Sequence, residues 1–268
     1  MLFKNTTHQH WLEFLMAMTE KEIKARYKHA TLGFLWIILN PLLQMVVIGF
    51  IFQFFVPVKV DNYFLFLFAG LLPWNFFSYS LTKTTPSIVF ERSLIQKANF
   101  PREAIPLSIV LSHLFHFLVS LLLLIVVVGL SKLVSGSWSF DPWFLLLKTV
   151  QLGGALIWIT LLTSGFSLLF SALNVRFRDT NFAVQALMPL WFYATPVVYT
   201  LGLLPTFLHG LAYLNPMTAI TELFQWSLLN QPPTNMAGWW ISIVIATVSI
   251  GVGAVVFRKE SPFFDDWI

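Results

Sequence analysis

The sequence predicts an all-α polytopic membrane protein: six transmembrane helices, an N-terminal amphipathic interface helix, and short re-entrant outer helices between crossings five and six. Three observations predict it. Of 268 residues, 57% are hydrophobic and only 10% are charged, against ~25% charged in ordinary soluble domains. Several uninterrupted apolar stretches reach the ~20 residues that a helix needs to cross the hydrocarbon core. The basic residues fall between those stretches and form no single polar face, so the net charge of +4 reads as membrane topology and not as nucleic-acid binding. No long polar segment remains to build a soluble domain, so residues 1–268 form one membrane domain.

Ahead of the first crossing, Leu12, Met16, Thr19, Ile23 and Tyr27 recur at helical spacing, with Glu13, Glu20, Glu22, Lys24 and Lys28 on other faces. The segment 9–30 therefore reads as an amphipathic helix on the cytoplasmic membrane surface, with packing on a protein partner as the alternative. The start of the chain lacks the short apolar core and small-residue cleavage site of a secretory signal. The first crossing is expected to serve as an uncleaved signal.

The crossings fall at about 33–56, 62–82, 105–130, 144–173, 182–200 and 237–257. An even number puts both termini on one side. With the N-terminus inside, the inner segments hold Lys4, Lys21, Lys24, Arg26, Lys28, Lys83, Arg92, Lys97, Arg102, Arg176, Arg178, Arg258 and Lys259. Only Lys59, Lys132 and Lys148 of the 16 Lys and Arg residues lie outside, and the positive-inside rule favours this orientation. The segment 201–236 is apolar but broken by Gly202, Pro205, Gly210 and Pro216. Two short helices dipping into the outer leaflet fit it better than a seventh crossing, which would move Arg258 and Lys259 outside.

Several chemistries are excluded. There are no cysteines, hence no disulfides and no thiol catalysis. No phosphate-binding Gly-x-x-x-x-Gly-Lys-Ser/Thr run exists, so ATP hydrolysis is not expected here. His113 and His116 share a helical face in the third crossing, yet two imidazoles do not complete a metal site. Hydrogen bonding between helices is their plainer role. No carboxylate lies near the middle of a crossing, as a proton-coupled transporter or intramembrane hydrolase would need. Glu222, in the broken outer segment, reads as a hydrated interfacial residue.

Asn40 and Gln44 stand one turn apart in the first crossing, with Pro41 between them. Such amides face protein or water, not lipid. In the second crossing Tyr63, Trp74 and Phe77, with Gly70, share one face. Aromatic faces of this kind stack on sugar rings, but interfacial Trp and Tyr are also common without any ligand. Thr160, Ser164, Ser167 and Ser171 form a stripe of small hydroxyl residues that lets two helices approach closely. Between crossings two and three, 84–104 is charged, bounded by Pro86, Pro101 and Pro106, and carries a short helix around 87–98.

Three runs carry a resemblance. KEIKARYKHATLGFLWIILNPLLQMVV (21–47), NVRFRDTNFAVQALMPLWFYATPVVY (174–199) and LNPMTAITELFQ (214–225) resemble, in order, the ABC-2 type permeases of polysaccharide export, those of O-antigen above all, with teichoic acid and capsule permeases nearby. The resemblance implies a transport subunit and no enzyme: a homodimer in the bacterial inner membrane over two copies of a cytoplasmic ATPase that holds ATP and Mg. No cofactor is implied on this chain. The cargo implied is an undecaprenyl-diphosphate-linked polysaccharide moved from the cytoplasmic leaflet outward. By position, 9–30 becomes an interface helix, 84–104 the ATPase-coupling loop with Glu91, Arg92, Gln96 and Lys97, and 201–230 an outer gate. Arg26 and Lys28 become candidates for the lipid diphosphate, or topology anchors. Asn40, Gln44, Tyr63, Trp74 and Phe77 become candidates for the substrate path. Two other classes stay open: a membrane-embedded glycan or lipid enzyme using His113 and His116, and a secondary transporter, which the absence of an obvious inverted repeat disfavours.

Overall fold

The computed structural model describes residues 3–28, 31–55, 60, 62–97, 100–134 and 142–267, with the side chains of 3–10, 27, 55, 265 and 266 left aside. Lys59 and the Tyr27 side chain thus lie outside the described residues. The helices are α1 (Phe3–Tyr27), α2 (Trp36–Phe55), α3 (Tyr63–Thr84), α4 (Ser87–Phe90), α5 (Arg92–Lys97), α6 (Ala104–Val134), α7 (Pro142–Arg176), α8 (Asp179–Ala194), α9 (Thr206–Ala212), α10 (Pro216–Leu229), α11 (Trp239–Glu260) and α12 (Phe264–Trp267). Among the described residues there is no strand.

Among the described residues, five segments are long and apolar enough to cross a membrane: Gly33–Phe54, Tyr63–Thr84, Ala104–Val134, Pro142–Arg176 and Met236–Phe263. They coincide with five of the six expected crossings. The sixth, 182–200, is only partly helical. α8 has 16 residues, about 24 Å, short of the ~30 Å hydrocarbon core. It ends at Thr195, where Pro196 forces the preceding residue into an extended conformation (φ −103°, ψ 137°).

α3 is the axis of the bundle: 72% of its apolar stretch is buried, against 11% for α2 at the periphery. The largest core cluster joins Phe66, Leu67, Phe77 and Leu81 of α3 to Leu124 of α6, Ile159 and Leu162 of α7, and Phe224 of α10. α7 and α11 form the most extensive helix pair, and two glycines make it possible. A Cβ on Gly165 would meet the Ile250 backbone nitrogen at 2.6 Å, and one on Gly253 would collide with the Gly165 carbonyl. In the expected hydroxyl stripe of α7, Ser167 and Ser171 are buried and Thr160 and Ser164 half-buried.

α1 packs along α6 on the row beside the stripe read from its spacing. Leu15 and Met18 are buried, whereas Leu12 and Met16 are 55% and 60% exposed. The neighbouring row is about as apolar, so spacing alone did not decide which faced the protein. Between α1 and α2, Gly33 takes φ +49°, a left-handed conformation that glycine adopts without steric cost. That explains the glycine of the L-G-F-L-W run.

α2 carries Pro41 in its interior, so the Ile37 carbonyl loses its intrahelical donor. Ser120 of α6 supplies one, donating to Ile37 O over 3.1 Å. In an apolar surround, such replacement is what makes an interior proline tolerable.

Candidate functional site

A cavity of about 280 Å³ opens between α1, α2, α3 and α6. Arg26 at the end of α1 reaches into it. Its guanidinium donates to His113 Nε2 and, over 3.2 Å, to His116 Nδ1. His113 in turn bonds Ser80 Oγ through Nδ1 at 3.2 Å. The two imidazoles therefore serve hydrogen bonding between helices, and they do so as acceptors for a cation. Among the described residues, no group of three or more His, Asp or Glu converges as a metal site would need.

The same cavity is lined by Trp36, Asn40, Asn75 and Tyr79. Beside it, Asn75 donates to Gln44 Oε1 over 2.8 Å, and Gln44 donates to the Tyr79 hydroxyl over 2.6 Å. Asn40 and Gln44 thus face protein and an open space, as their polarity demanded. Asn75 and Tyr79 complete the group; spacing on one helix alone gave no signal for them.

Tyr63, Trp74 and Phe77 lie elsewhere. Trp74 is 5% exposed and Phe77 0%, packed among Phe192, Trp191 and Phe166 with ring centroids 5.0–6.1 Å apart. Tyr63 is buried and donates to Val198 O over 2.8 Å. Lys28 is exposed and does not line the cavity.

The non-helical stretch after α8, a turn and bend over 195–199, is buried, with Thr195, Val197 and Val198 at most 1% exposed. Non-helical backbone in an apolar surround needs partners for its carbonyls. Asn215 donates to Ala194 O over 3.2 Å and Gln225 to Pro196 O over 3.4 Å, alongside the Tyr63 bond to Val198. α9 and α10, at seven and 14 residues, are too short to span. α10 starts with Pro216 at its first turn and Asn215 as its cap, accepting from Met217 N–H at 3.0 Å.

Glu222 of α10 corrects the expectation of a hydrated interfacial carboxylate. It is 6% exposed and accepts from the Tyr213 hydroxyl at 2.8 Å, the Trp239 indole N–H at 3.1 Å and the Thr234 backbone N–H at 3.2 Å. These donors come from positions flanking α10 on both sides, and their convergence depends on the fold. Burial first, and then the Glu222 carboxylate, push the Tyr213 phenol above its ordinary range.

At the opposite end of the bundle the expected short helix is two, α4 and α5, broken at Glu91. Ile88 and Ile95 anchor them in a cluster with Val175, Phe257 and Phe264. Lys21 of α1 pairs with Glu91 at 2.7 Å. Arg92, Gln96 and Lys97 are exposed, and so is Phe90, at 74%. Next to this cluster the V-R-F-R-D turn holds the tail of the chain. Arg176 lies 5.5 Å from the Trp267 ring and 3.8 Å from Glu260, and Arg178 reaches Trp267 O at 3.5 Å.

Comparison with known proteins agrees with this multi-pass architecture. The model of the ABC-2 type transporter family matches residues 13–229. An O-antigen export system permease protein RfbA of Klebsiella pneumoniae is 33% identical over 92% of both chains. One from Myxococcus xanthus is 35% identical over 79% of this chain and 78% of its own. The polysialic acid transport protein KpsM of Escherichia coli is 23% identical over 77% and 78%. With a family match across most of its length and relatives above 30% identity, this chain belongs to the ABC-2 type transporter family.

Proposed function

We propose that this chain is the membrane subunit of an ATP-driven exporter that moves an undecaprenyl-diphosphate-linked polysaccharide of the O-antigen type out of the cytoplasmic leaflet of a bacterial inner membrane. The observation that carries the reading is the likeness to O-antigen export permeases along 92% of both chains. A capsule-type cargo is the second reading, favoured by the likeness to a polysialic acid transport protein. Teichoic acid export stands beside it.

In this proposal two copies of the chain form the path, and two copies of a separate ATPase carry ATP and Mg. α8 together with the non-helical stretch that follows it makes the fifth of six crossings, which puts both termini in the cytoplasm. α1 lies along the membrane interface, where exposed Leu12 and Met16 meet lipid. α9 and α10 form the outer gate as re-entrant helices. α4 and α5 face the ATPase, with Arg92, Gln96 and Lys97 at the contact and Glu91 tied back to α1 by Lys21. Arg26 and Lys28 attract the lipid diphosphate. Asn40 and Gln44 belong to the path, while Tyr63, Trp74 and Phe77 support its wall from behind, a role that fits their burial.

Reconstitution tests it. Proteoliposomes holding the chain and its cognate ATPase, loaded with lipid-linked glycan on the outer leaflet, should move glycan to the lumen only with hydrolysable ATP. Movement that persists without the ATPase, or that follows a proton gradient, would overturn the proposal.

A further inference from the structure

We propose that the cavity bounded by α1, α2, α3 and α6 is a binding pocket for a glycosyl phosphate, with Arg26, which His113 and His116 hold in place, taking the phosphate and the Asn40, Asn75 and Tyr79 side taking the adjoining sugar. The inference rests on the exporter reading for its cargo and deepens it by naming the part of the cargo that is read.

The cationic end comes first. Arg26 is held by two imidazole nitrogens, and no carboxylate pairs with it among the described residues. Acceptors on neutral rings orient a guanidinium without cancelling its charge. An Arg fixed in this way is poised for an anion, and its planar fork matches phosphate oxygens two at a time. Since His116 Nδ1 accepts from Arg26, its other ring nitrogen carries the proton, and the ring serves to position the guanidinium. Arg26 remains more than a third exposed, so the charge is reachable from the surface.

The remaining wall has the chemistry of a sugar site. Trp36 and Tyr79 offer rings for the apolar face of a pyranose, while Asn40 and Asn75 offer both donors and acceptors for hydroxyls. Gln44 holds both Asn75 and Tyr79, so part of the wall is set before any ligand arrives. Size limits the occupant. A cavity of about 280 Å³ is at the small end of ligand pockets, enough for one sugar and its phosphate and too small for a length of glycan. Such a pocket reads the reducing end of the cargo, where sugar meets diphosphate, and is indifferent to the repeat units beyond it.

Binding to the purified full-length chain in lipid nanodiscs tests this with four probes: farnesyl diphosphate, farnesyl diphosphate bearing one glucose, glucose 1-phosphate and farnesol. Both diphosphates should bind, the sugar-bearing one more tightly, and farnesol should not. Arg26→Gln and the pair His113→Gln with His116→Gln should weaken both diphosphates about tenfold or more. Asn40→Ala and Asn75→Ala should weaken only the sugar-bearing probe, by about three- to tenfold. Lys24→Gln, on the same helix and paired with Glu20, should change nothing. If Arg26→Gln does not fold, the histidine and asparagine variants carry the test by themselves. Glucose 1-phosphate binding as tightly as the lipid probes would assign the pocket to a soluble sugar phosphate and overturn its role in the cargo. Equal loss in Lys24→Gln and Arg26→Gln would mean surface charge alone and overturn the site. Unchanged probe binding in all pocket variants while ATP-driven export is intact would overturn the pocket and leave the exporter reading standing. Normal probe binding without any export would do the reverse.

Discussion

The Asn215 side-chain amide donates to Thr195 Oγ1 over 2.7 Å, which ties the start of α10 to the end of α8. Its other capacity is also used: Oδ1 accepts from the Trp191 indole and the Met217 backbone N–H. The asparagine of one Asx-Pro run thus fastens the Thr of the Thr-Pro run 20 residues earlier, and Asn215→Ala leaves several buried groups unpaired. We expect a loss of about 3 kcal/mol, combining a lost cap with unsatisfied donors. Asn215→Asp, which keeps both acceptor contacts, should lose about half as much. Unfolding in mixed micelles measures both.

The α7 and α11 backbones touch at Gly165 and Gly253. Alanine at either should cost about 1–3 kcal/mol through overpacking, whereas Gly154→Ala, which meets open space, should leave the midpoint nearly unchanged. Three melting curves decide it.

Ser120 matters only because Pro41 withholds a donor. Ser120→Ala should cost about 0.6–1.7 kcal/mol in the wild-type background and close to nothing once Pro41→Ala restores the N–H. A double-mutant cycle reads the coupling directly.

Tyr213 gives a pH signature. Its raised pKa means that, above the ordinary phenol value near ~10, the unfolded chain loses this proton while the folded chain keeps it. The stability from Tyr213 is therefore present in full below that pH and lost as pH climbs further. Tyr213→Phe should be less stable at pH 7, through the lost bonds to Glu222 and Asn235. The gap to wild type should narrow above pH 10.

Phe90 should matter to the partner and not to the fold. Phe90→Ser exposes nothing new, so melting should stay within a degree or two, while glycan-stimulated ATP hydrolysis by the complex falls severalfold. Retained coupling would remove Phe90 from the contact.

How far the sequence revealed these features differs by element. The five long crossings were legible because a bilayer demands length and apolarity, and both are local. The helical extent of α8 was not, because the Thr-Pro break ends the helix while hydropathy stays high. Trp74 and Phe77 have the spacing of a path-lining face, but α3 is surrounded, and spacing on one helix cannot report its neighbours. Arg26 was visible as a surface charge; its grip on His113 and His116 joins residues 87 and 90 positions apart and needed the fold. Glu222 was misjudged for the same reason.

The contact of Gly165 with Gly253 has a mechanical consequence. Two helices meeting backbone to backbone have no side-chain cushion to slide on, so α7 and α11 turn as one stiff chassis. α2, by contrast, is largely unburied and is fastened by a few half-buried apolar side chains such as Leu42 and Met45 together with polar ties such as Ser120 to Ile37 and Asn75 to Gln44. Ties of that strength break and re-form at little cost. The compliant part of the molecule is thus the wall that borders the Arg26 cavity, and a ligand seated there would press on the helix most free to move.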